Sequence, residues 1–400
     1  MLHQFKFENF YSFSETVEVS CVLGGQSPKN DLSCLADTGD RLSKLLAVIG
    51  PNASGKTNVL KALAFLQWFV ADSFSAQQPN DDIPIEHHFF SENPNSSFQI
   101  VFDYQGQLYR YELTLNKQKV VYEALFVKTS KLYSYIFKRE WDEKSHQYTI
   151  AQKDFGFDRK EAAKVRQNAS LISTAAQYGV ELATQMRLVC GKIFTNVNSL
   201  GRVSAASRID ELLEVTEVFQ RNKSLGKQAS DLLCKLDLGL RGIIIKSETI
   251  TDPKTQKSLE ISVPYGIHRN GQAERQLELW RESSGTQRAY TLLSILLPAL
   301  TLGGVAVIDE LEADLHPDML VPLLELFINP ATNPKQAQLI FSSHSHEILE
   351  MLSKDQVLLV EKDPQGNSEA WLLSDMEGVR RDDNLYAKYR SGTYGAVPNL

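Results

Sequence analysis

The feature that most constrains this chain is a glycine-rich loop between an apolar run and a helical pattern. Leu45–Ile49 is continuously apolar, as expected of a strand buried on both faces of a sheet. Gly50–Thr57 follows it and fits the pattern G-x-x-x-x-G-K-S/T. The apolar periodicity from Thr57 to Asp72 then predicts a helix. A strand, a loop of this kind and a helix in that order indicate an α/β protein that binds phosphate groups.

The chemistry of the loop defines a predicted nucleotide site. Its backbone N–H groups and the start of the following helix would face the phosphates of ATP. We expect Lys56 to reach the β- and γ-phosphates and the hydroxyl of Thr57 to bind Mg²⁺. The predicted ATP-binding residues of this segment are Asn52, Ala53, Ser54, Gly55, Lys56, Thr57 and Asn58.

A second element is an apolar strand that ends in two acids. Gly304–Ile308 precedes Asp309 and Glu310, so both carboxylates are expected at the carboxyl edge of the sheet, where ligands of open α/β sheets bind. Asp309 would hold Mg²⁺, and Glu310 would orient and deprotonate the attacking water. An Asp-Glu pair alone is weak evidence, but beside the glycine-rich loop it predicts an ATP-hydrolysing site.

Two further segments are ambiguous when each is taken alone. The turn Glu282–Arg288 opens a predicted helix, and its serines and glycine would equally suit a simple helix cap. His344 follows the predicted strand Gln338–Phe341, and a histidine at a strand end is usually structural. The order of all these segments along the chain is what gives them a functional interpretation.

That order resembles the SMC/RecF-like branch of ABC ATPases. Ser283 and Gly285 match the L-S-G-G-Q-like turn that contacts the ATP of the opposite subunit, whereas Glu282, Ser284 and Thr286 depart from it. The resemblance implies that His344 is a catalytic switch histidine at the γ-phosphate. It also implies a homodimer, or a higher homo-oligomer, that closes around ATP.

Motifs near the two ends of the chain resemble those of one subgroup of these ATPases. Phe7–Phe13 and Tyr389–Pro398 are similar to the opening and ending of bacterial anti-phage ATPases from abortive-infection and restriction-linked loci, such as the RloA and AbiL proteins. This resemblance implies a switch that senses infection and controls a separate toxic effector protein. A RecF-like DNA-binding clamp in DNA repair and a nuclease component are the alternatives.

The expected fold class is α/β. We expect an ABC-ATPase head with a mostly parallel core sheet, an antiparallel β-subdomain and a compact helical insertion. Short β-rich segments from Ser97 to Ile150 predict an antiparallel meander, and Arg159–Leu240 is mostly helical by composition. The predicted domains are an N-lobe over 1–157, the helical insertion over 158–241, a C-lobe over 242–375 and a tail over 376–400.

Charge and composition limit the classes of partner that we expect for this chain. The net charge of −7 argues against a generally basic nucleic-acid binder but leaves a local basic groove open. Basic stretches at Arg159–Arg166 and Arg221–Lys227 are predicted to contact a partner or nucleic acid, although solvated helix faces would look the same. The four scattered cysteines predict reduced thiols. Without a signal-peptide pattern or a run of about 18 apolar residues, we expect a cytoplasmic protein with no membrane partner.

Overall fold

The computed structural model describes residues 1–25, 27–202, 207–236, 239–251 and 258–398. The helices are α1 Lys56–Ala76, α2 Arg159–Ala163, α3 Leu171–Gln177, α4 Glu181–Cys190, α5 Arg208–Arg221, α6 Lys223–Lys235, α7 Ser284–Leu302, α8 Leu320–Ile328 and α9 Leu385–Arg390. Short 3₁₀ helices cover Leu279–Arg281, Pro317–Met319, His346–Glu350, Lys354–Gln356 and Leu373–Asp375.

The strands are β1 Leu2–Glu8, β2 Val17–Ser20, β3 Ser33–Leu35, β4 Arg41–Ser43, β5 Leu45–Ile49, β6 Ser96–Tyr104, β7 Gln107–Leu115, β8 Val120–Lys128, β9 Tyr133–Asp142, β10 Gln147–Gln152, β11 Ile193–Thr195, β12 Val197–Asn198, β13 Gly201–Arg202, β14 Gly242–Thr251, β15 Ser258–Asn270, β16 Ala273–Glu278, β17 Val305–Ile308, β18 Gln338–Ser343, β19 Val357–Lys362 and β20 Ser368–Leu372.

A six-stranded sheet forms the centre of the fold, in the order β11-β17-β18-β5-β19-β20. Neighbouring strands are parallel except for β19 and β20, which pair antiparallel. Every residue of β5 and β17 is buried, because helices and a second sheet cover the two faces. The expected mixed α/β architecture is confirmed, and the carboxyl ends of β5, β17 and β18 meet at one edge.

A second sheet of seven strands is antiparallel, in the order β10-β9-β8-β7-β6-β1-β2. Strands β6 to β10 are the meander expected from the sequence, and β1 and β2 extend it through the pairing of β1 with β6. The inner face of this sheet, α1 and one face of the core sheet share a hydrophobic core. A second core lies on the opposite face of the core sheet, beneath α5 to α9. The glycine-rich loop is therefore held by the layers that enclose α1.

The expectation of one compact helical insertion over 158–241 is wrong. Helices α3 and α4 pack on α1 in the first core, whereas α5 and α6 pack on α7 in the second. Between these groups β11 adds to the edge of the core sheet, where Ile193 pairs with Val305. The apolar faces of the two helix pairs are buried by different surfaces, so composition alone could not show that they separate. The domain boundaries themselves stay a prediction.

Helix α1 combines the length and hydropathy that a membrane span would need. Two thirds of its most apolar window, 67%, is nevertheless buried inside the protein. Its buried side chains lie in the first core with those of both sheets. A buried core helix can thus have the length and the apolar composition of a membrane-spanning helix.

A fully buried ion pair joins the antiparallel sheet to the segment before α3. Arg139 and Glu123 both have 0% side-chain exposure, and their closest nitrogen and oxygen are 3.3 Å apart. Arg139 also donates to the carbonyls of Val165, Arg166 and Ala169. The Glu123 carboxylate accepts from Tyr111, Ser170 and the N–H of Leu171. These hydrogen bonds offset the desolvation of both charges.

We expect Arg139→Met to destabilise the protein strongly, by about 3–5 kcal/mol, because it leaves the Glu123 carboxylate buried without its cation. The matched control is Lys164→Met, since Lys164 forms a solvent-exposed ion pair with Glu161 and its loss is expected to matter little. Urea unfolding of both variants measures the difference. Equal, small losses in the two variants would show that the buried pair is not needed for folding.

Candidate functional site

The glycine-rich loop leaves the carboxyl end of β5 and encloses the side chain of Lys56. The ammonium group donates to the carbonyls of Gly50 and Pro51, both at 2.8 Å. Burial lowers the pKa of Lys56, and the carboxylates of Asp309 and Glu310 act in the opposite direction. The loop thus presents one buried cation on the side that faces the acids.

Two glycines let the loop take this path. A Cβ on Gly50 would lie 2.0 Å from the carbonyl oxygen of Val360 in the neighbouring β19, so no side chain fits there. Gly55 has a φ of 118°, and a Cβ there would meet Ser368 at 2.6 Å. Ala53 also has a positive φ, 60°, a strained conformation for a residue with a side chain. The loop shape therefore depends on residue identity at Gly50 and Gly55.

The start of α1 is arranged to receive an anion. No described side chain caps this helix, and its first turn contains no acidic residue. The hydroxyl of Ser54 is buried with no hydrogen-bond partner among the described residues. Backbone N–H groups at such a terminus, together with the uncompensated hydroxyl and Lys56, suit a phosphate group.

Asp309 connects the glycine-rich loop to two strands of the core sheet. Its carboxylate accepts from the hydroxyl of Thr57 at 2.9 Å, across 252 residues of sequence, and from the hydroxyl of Ser342 at 2.5 Å. Asn196, just after β11, bonds both backbone groups of Asp309, at 2.7 and 3.0 Å. Asp309 is consequently buried and fixed, with only 4% of its surface exposed.

Glu310 points its carboxylate to the more open side of the site. Its φ of 51° turns the chain just after β17, and its N–H donates to Ser342 at 2.8 Å. One carboxylate oxygen lies 2.6 Å from Arg202, and the other lies 3.8 Å from Nε2 of His344. Glu310 and His344 are 40% and 41% exposed, so solvent reaches both. The N–H of His344 is held by Glu312.

The turn Glu282–Arg288, here called the signature turn, lies apart from the glycine-rich loop. Ser283 caps α7, accepting from the N–H of Thr286 at 3.2 Å and sharing a hydrogen bond with its hydroxyl. A Cβ on Gly285 would lie 3.3 Å from the carbonyl of Asp314. Within the described residues no hydrogen bond joins this turn to Gly50–Asn58. The structure thus brings together Lys56, Thr57, Asp309, Glu310 and His344, but not Ser283 and Gly285.

The opening motif contacts the start of α1, and the closing motif packs against β19. Asn58 donates to the hydroxyl of Ser12 at 2.9 Å. At the other end the hydroxyl of Tyr389 donates to Ala396 at 2.6 Å, and the N–H of Ala396 donates to Glu361 on β19 at 2.7 Å. These contacts give both motifs a structural role beside the site.

Several residues of the site are not among those predicted from the sequence. Ser342 could have been found, since it ends a parallel strand next to the strand that carries Asp309. Asn196 and Arg202 lie in the stretch of supposed helix, and no local pattern marks them.

The arginines of the basic stretches differ in their exposure to solvent. Arg166 faces inward, donating to the carbonyl of Ser73 at 3.0 Å, and burial lowers its pKa. Arg221, at 81% exposure, stays on the surface. Arg166 is thus bound to the protein's own backbone, while the expected contact of these stretches with a partner or nucleic acid stays a prediction.

The donor set fits Mg²⁺ together with a nucleotide. Thr57 and Asp309 offer a hydroxyl and a carboxylate oxygen within 2.9 Å of each other. Among the described residues no group of three or more His, Cys, Asp and Glu side chains could hold a metal ion. Mg²⁺ commonly takes one or two protein oxygens and completes its shell with phosphates and water, which is the set available here.

Comparison with known proteins gives one family match. The family model described as "AAA domain, putative AbiEii toxin, Type IV TA system" matches residues 45–350, from the start of β5 to the end of the 3₁₀ helix after His344. No curated protein matches the chain.

Two solved structures show weak likeness. The SMC head domain from Thermotoga maritima is 13% identical, with a TM-score of 0.43, covering 93% of this chain and 98% of that one. The SMC head bound to the C-winged helix domain of ScpA is 12% identical, with a TM-score of 0.46, covering 92% and 96%.

We expect Ser342→Ala to raise the Mg²⁺ concentration needed for ATP hydrolysis by about tenfold, because Asp309 loses the donor that orients it. Ser343→Ala is the control, since Ser343 is equally buried but its hydroxyl bonds the backbone of Ser345 and, among the described residues, does not bond Asp309. Hydrolysis rates over a Mg²⁺ titration measure the effect. An identical Mg²⁺ requirement in both variants would contradict the role given to Ser342.

Proposed function

This chain belongs to the AAA-domain family whose model matches it over residues 45–350, and on that premise we propose that it is an ATP-hydrolysing, ATP-dimerised switch of a bacterial anti-phage defence system. The observation that carries the proposal is the hydrogen bond between Thr57 and the buried Asp309, beside the enclosed Lys56. A buried cation and two oxygen donors of the kind that Mg²⁺ prefers therefore lie at one edge of a parallel sheet, which supports this proposal.

Each residue has a defined task in hydrolysis. Lys56 and the N–H groups of the loop bind the phosphates, and Thr57 and Asp309 hold Mg²⁺. Mg²⁺ neutralises charge on the phosphate oxygens when it is bound. Glu310 accepts the proton of the attacking water, and His344, on the same side of the site, orients the terminal phosphate.

The separation of the signature turn supports a dimer. Ser283 is exposed, and it caps the start of α7, whose first-turn N–H of Thr286 donates to its hydroxyl. In the proposed assembly the turn of one subunit contacts the γ-phosphate held by the other, so ATP bridges the two chains. A ligand that binds the closed dimer better than the open monomers shifts the population to the dimer.

The defence role rests on the family and on the terminal motifs. The family description names a toxin of a type IV toxin–antitoxin system. The site described above acts on ATP, so we place the toxic activity in a separate effector that the ATP state of this chain controls.

We expect Lys56→Ala to abolish ATP binding, because it removes the charge that faces the phosphates. Glu310→Gln should bind ATP normally and lose turnover by at least about 100-fold, since an amide cannot accept the proton. Calorimetric titration with Mg²⁺-ATP and phosphate release measure the two properties. Unchanged affinity in Lys56→Ala, or an unchanged rate in Glu310→Gln, would remove that residue from the mechanism.

Expression of the chain alone in bacteria tests the separation of switch and effector. We expect normal growth, because the chain on its own lacks the toxic activity. The control is the Glu310→Gln variant, expressed to the same level. Growth arrest by the chain alone that disappears in Glu310→Gln would show that the chain itself is the toxin.

A further inference from the structure

Three arginines line a cavity between α7 and the loop after Glu310. The cavity has a volume of about 170 Å³, and its walls include Arg202, Arg208 and Arg288. Ser284, at the start of α7, and Asp314 also line it. No residue of the glycine-rich loop is part of the wall. The cavity is thus distinct from the place where Lys56 would bind phosphates.

Two of the arginines already have partners. Arg202 pairs with Glu310 at 2.6 Å, and Arg208 pairs with Asp314 at 2.9 Å. Both pairs are partly exposed, with arginine side-chain exposures of 39% and 55%. They can exchange partners at little cost, since exposed ion pairs contribute little to stability.

Arg288 differs from both. Its Nε and Nη2 atoms are buried, and neither has a hydrogen-bond partner among the described residues. Burial and the neighbouring Arg202 lower the pKa of Arg288, while Glu211, Asp314 and Glu310 act in the opposite direction. Glu211 lines the cavity without an ion pair to Arg288 within the described part of the chain. Burying guanidinium donors without acceptors is costly, so an anion that accepted hydrogen bonds from Arg288 would stabilise this site.

The shape of the donors indicates which anion fits. A guanidinium presents a planar fork of N–H groups that matches the oxygens of a phosphate. Since the adjacent Arg202 and Arg208 can turn toward the same cavity, an anion there could be bound by as many as three guanidinium groups. A tetrahedral phosphate group with two negative charges suits this better than a single carboxylate does.

We propose that Arg288, assisted by Arg202 and Arg208, binds the terminal phosphate of the ATP held by the partner subunit. This inference rests on the proposed function, since it requires an ATP-bridged dimer. The cavity opens beside the signature turn that would meet the partner's nucleotide, and it excludes the chain's own glycine-rich loop. Arg288 therefore contacts the γ-phosphate, which ATP has and ADP lacks. This contact makes formation of the dimer depend on ATP rather than ADP.

The test compares assembly in the Glu310→Gln background, in which ATP persists. Arg288→Gln should weaken the ATP-dependent dimer by about tenfold to 100-fold, the usual loss for a hydrogen bond to a charged group. Arg288→Lys should be intermediate, because it keeps the charge and loses the fork. Arg221→Gln is the control, since Arg221 is an exposed arginine on α5. Analytical ultracentrifugation with Mg²⁺-ATP, and with Mg²⁺-ADP, measures each dimer.

Further measurements separate an effect of Arg288→Gln on ligand binding from an effect on folding. They also separate binding of the partner's ATP from binding of the chain's own nucleotide or of inorganic phosphate. Thermal unfolding of Arg288→Gln without nucleotide should be unchanged or shifted to higher temperature, since the buried Nε and Nη2 of Arg288 have no hydrogen-bond partner to lose within the described part of the chain. ATP affinity measured at protein concentrations below dimerisation should also be unchanged. Weaker ATP binding by that monomer would place Arg288 at its own nucleotide and overturn the inference. Arg288-dependent stabilisation by inorganic phosphate, with ATP-dependent dimerisation unaffected, would also overturn it.

The behaviour of Glu310→Gln with Arg288 intact shows whether the inference about Arg288 fails alone or together with the proposed function. If Glu310→Gln dimerises with ATP and Arg288→Gln dimerises equally well, only the inference about Arg288 fails. If Glu310→Gln with Arg288 intact does not dimerise with ATP, the proposed function fails, and the inference fails with it.

Discussion

A buried carboxylate, Asp309, holds the parts of the site in one place. It bonds Thr57 at the start of α1, Ser342 at the end of β18 and, through its backbone, Asn196 beyond β11. Because Asp309 is almost without solvent exposure, these bonds act in a low-dielectric environment, in which a hydrogen bond is electrostatically stronger than in water. Three strands and one helix are therefore held in position around a single residue, through its side chain and its backbone.

Parallel pairing makes this convergence possible. The loop after β5, the acids after β17 and the serines and histidine at the end of β18 all leave the same edge of the core sheet. Gly50 then passes so close to Val360 that only glycine fits, which brings the loop down onto β19. The exposed side of the site, with Glu310, His344 and Arg202, remains free to rearrange around a ligand. A rigid interior and an open rim suit a site that binds, hydrolyses and releases.

Sequence reasoning succeeded where a local pattern has one physical meaning. The apolar run, the glycines and Lys56 could be interpreted together, as could the two acids after β17. It failed where a long-range contact decides the outcome. Ile193–Thr195 is too short to be recognised as a strand until it pairs with β17. The polar strand β16 shows no apolar alternation, since most of its side chains face solvent. Arg202 reaches Glu310 across 108 residues, which no local pattern encodes.

The most direct test of the central claim is a crystal structure of the Glu310→Gln variant with ATP and Mg²⁺. The expected result is that Lys56 leaves the carbonyls of Gly50 and Pro51 to contact phosphate oxygens. Thr57 and Asp309 should then lie on the metal ion. A nucleotide bound elsewhere, with Lys56 still hydrogen-bonded to its own loop, would contradict the assignment of this site.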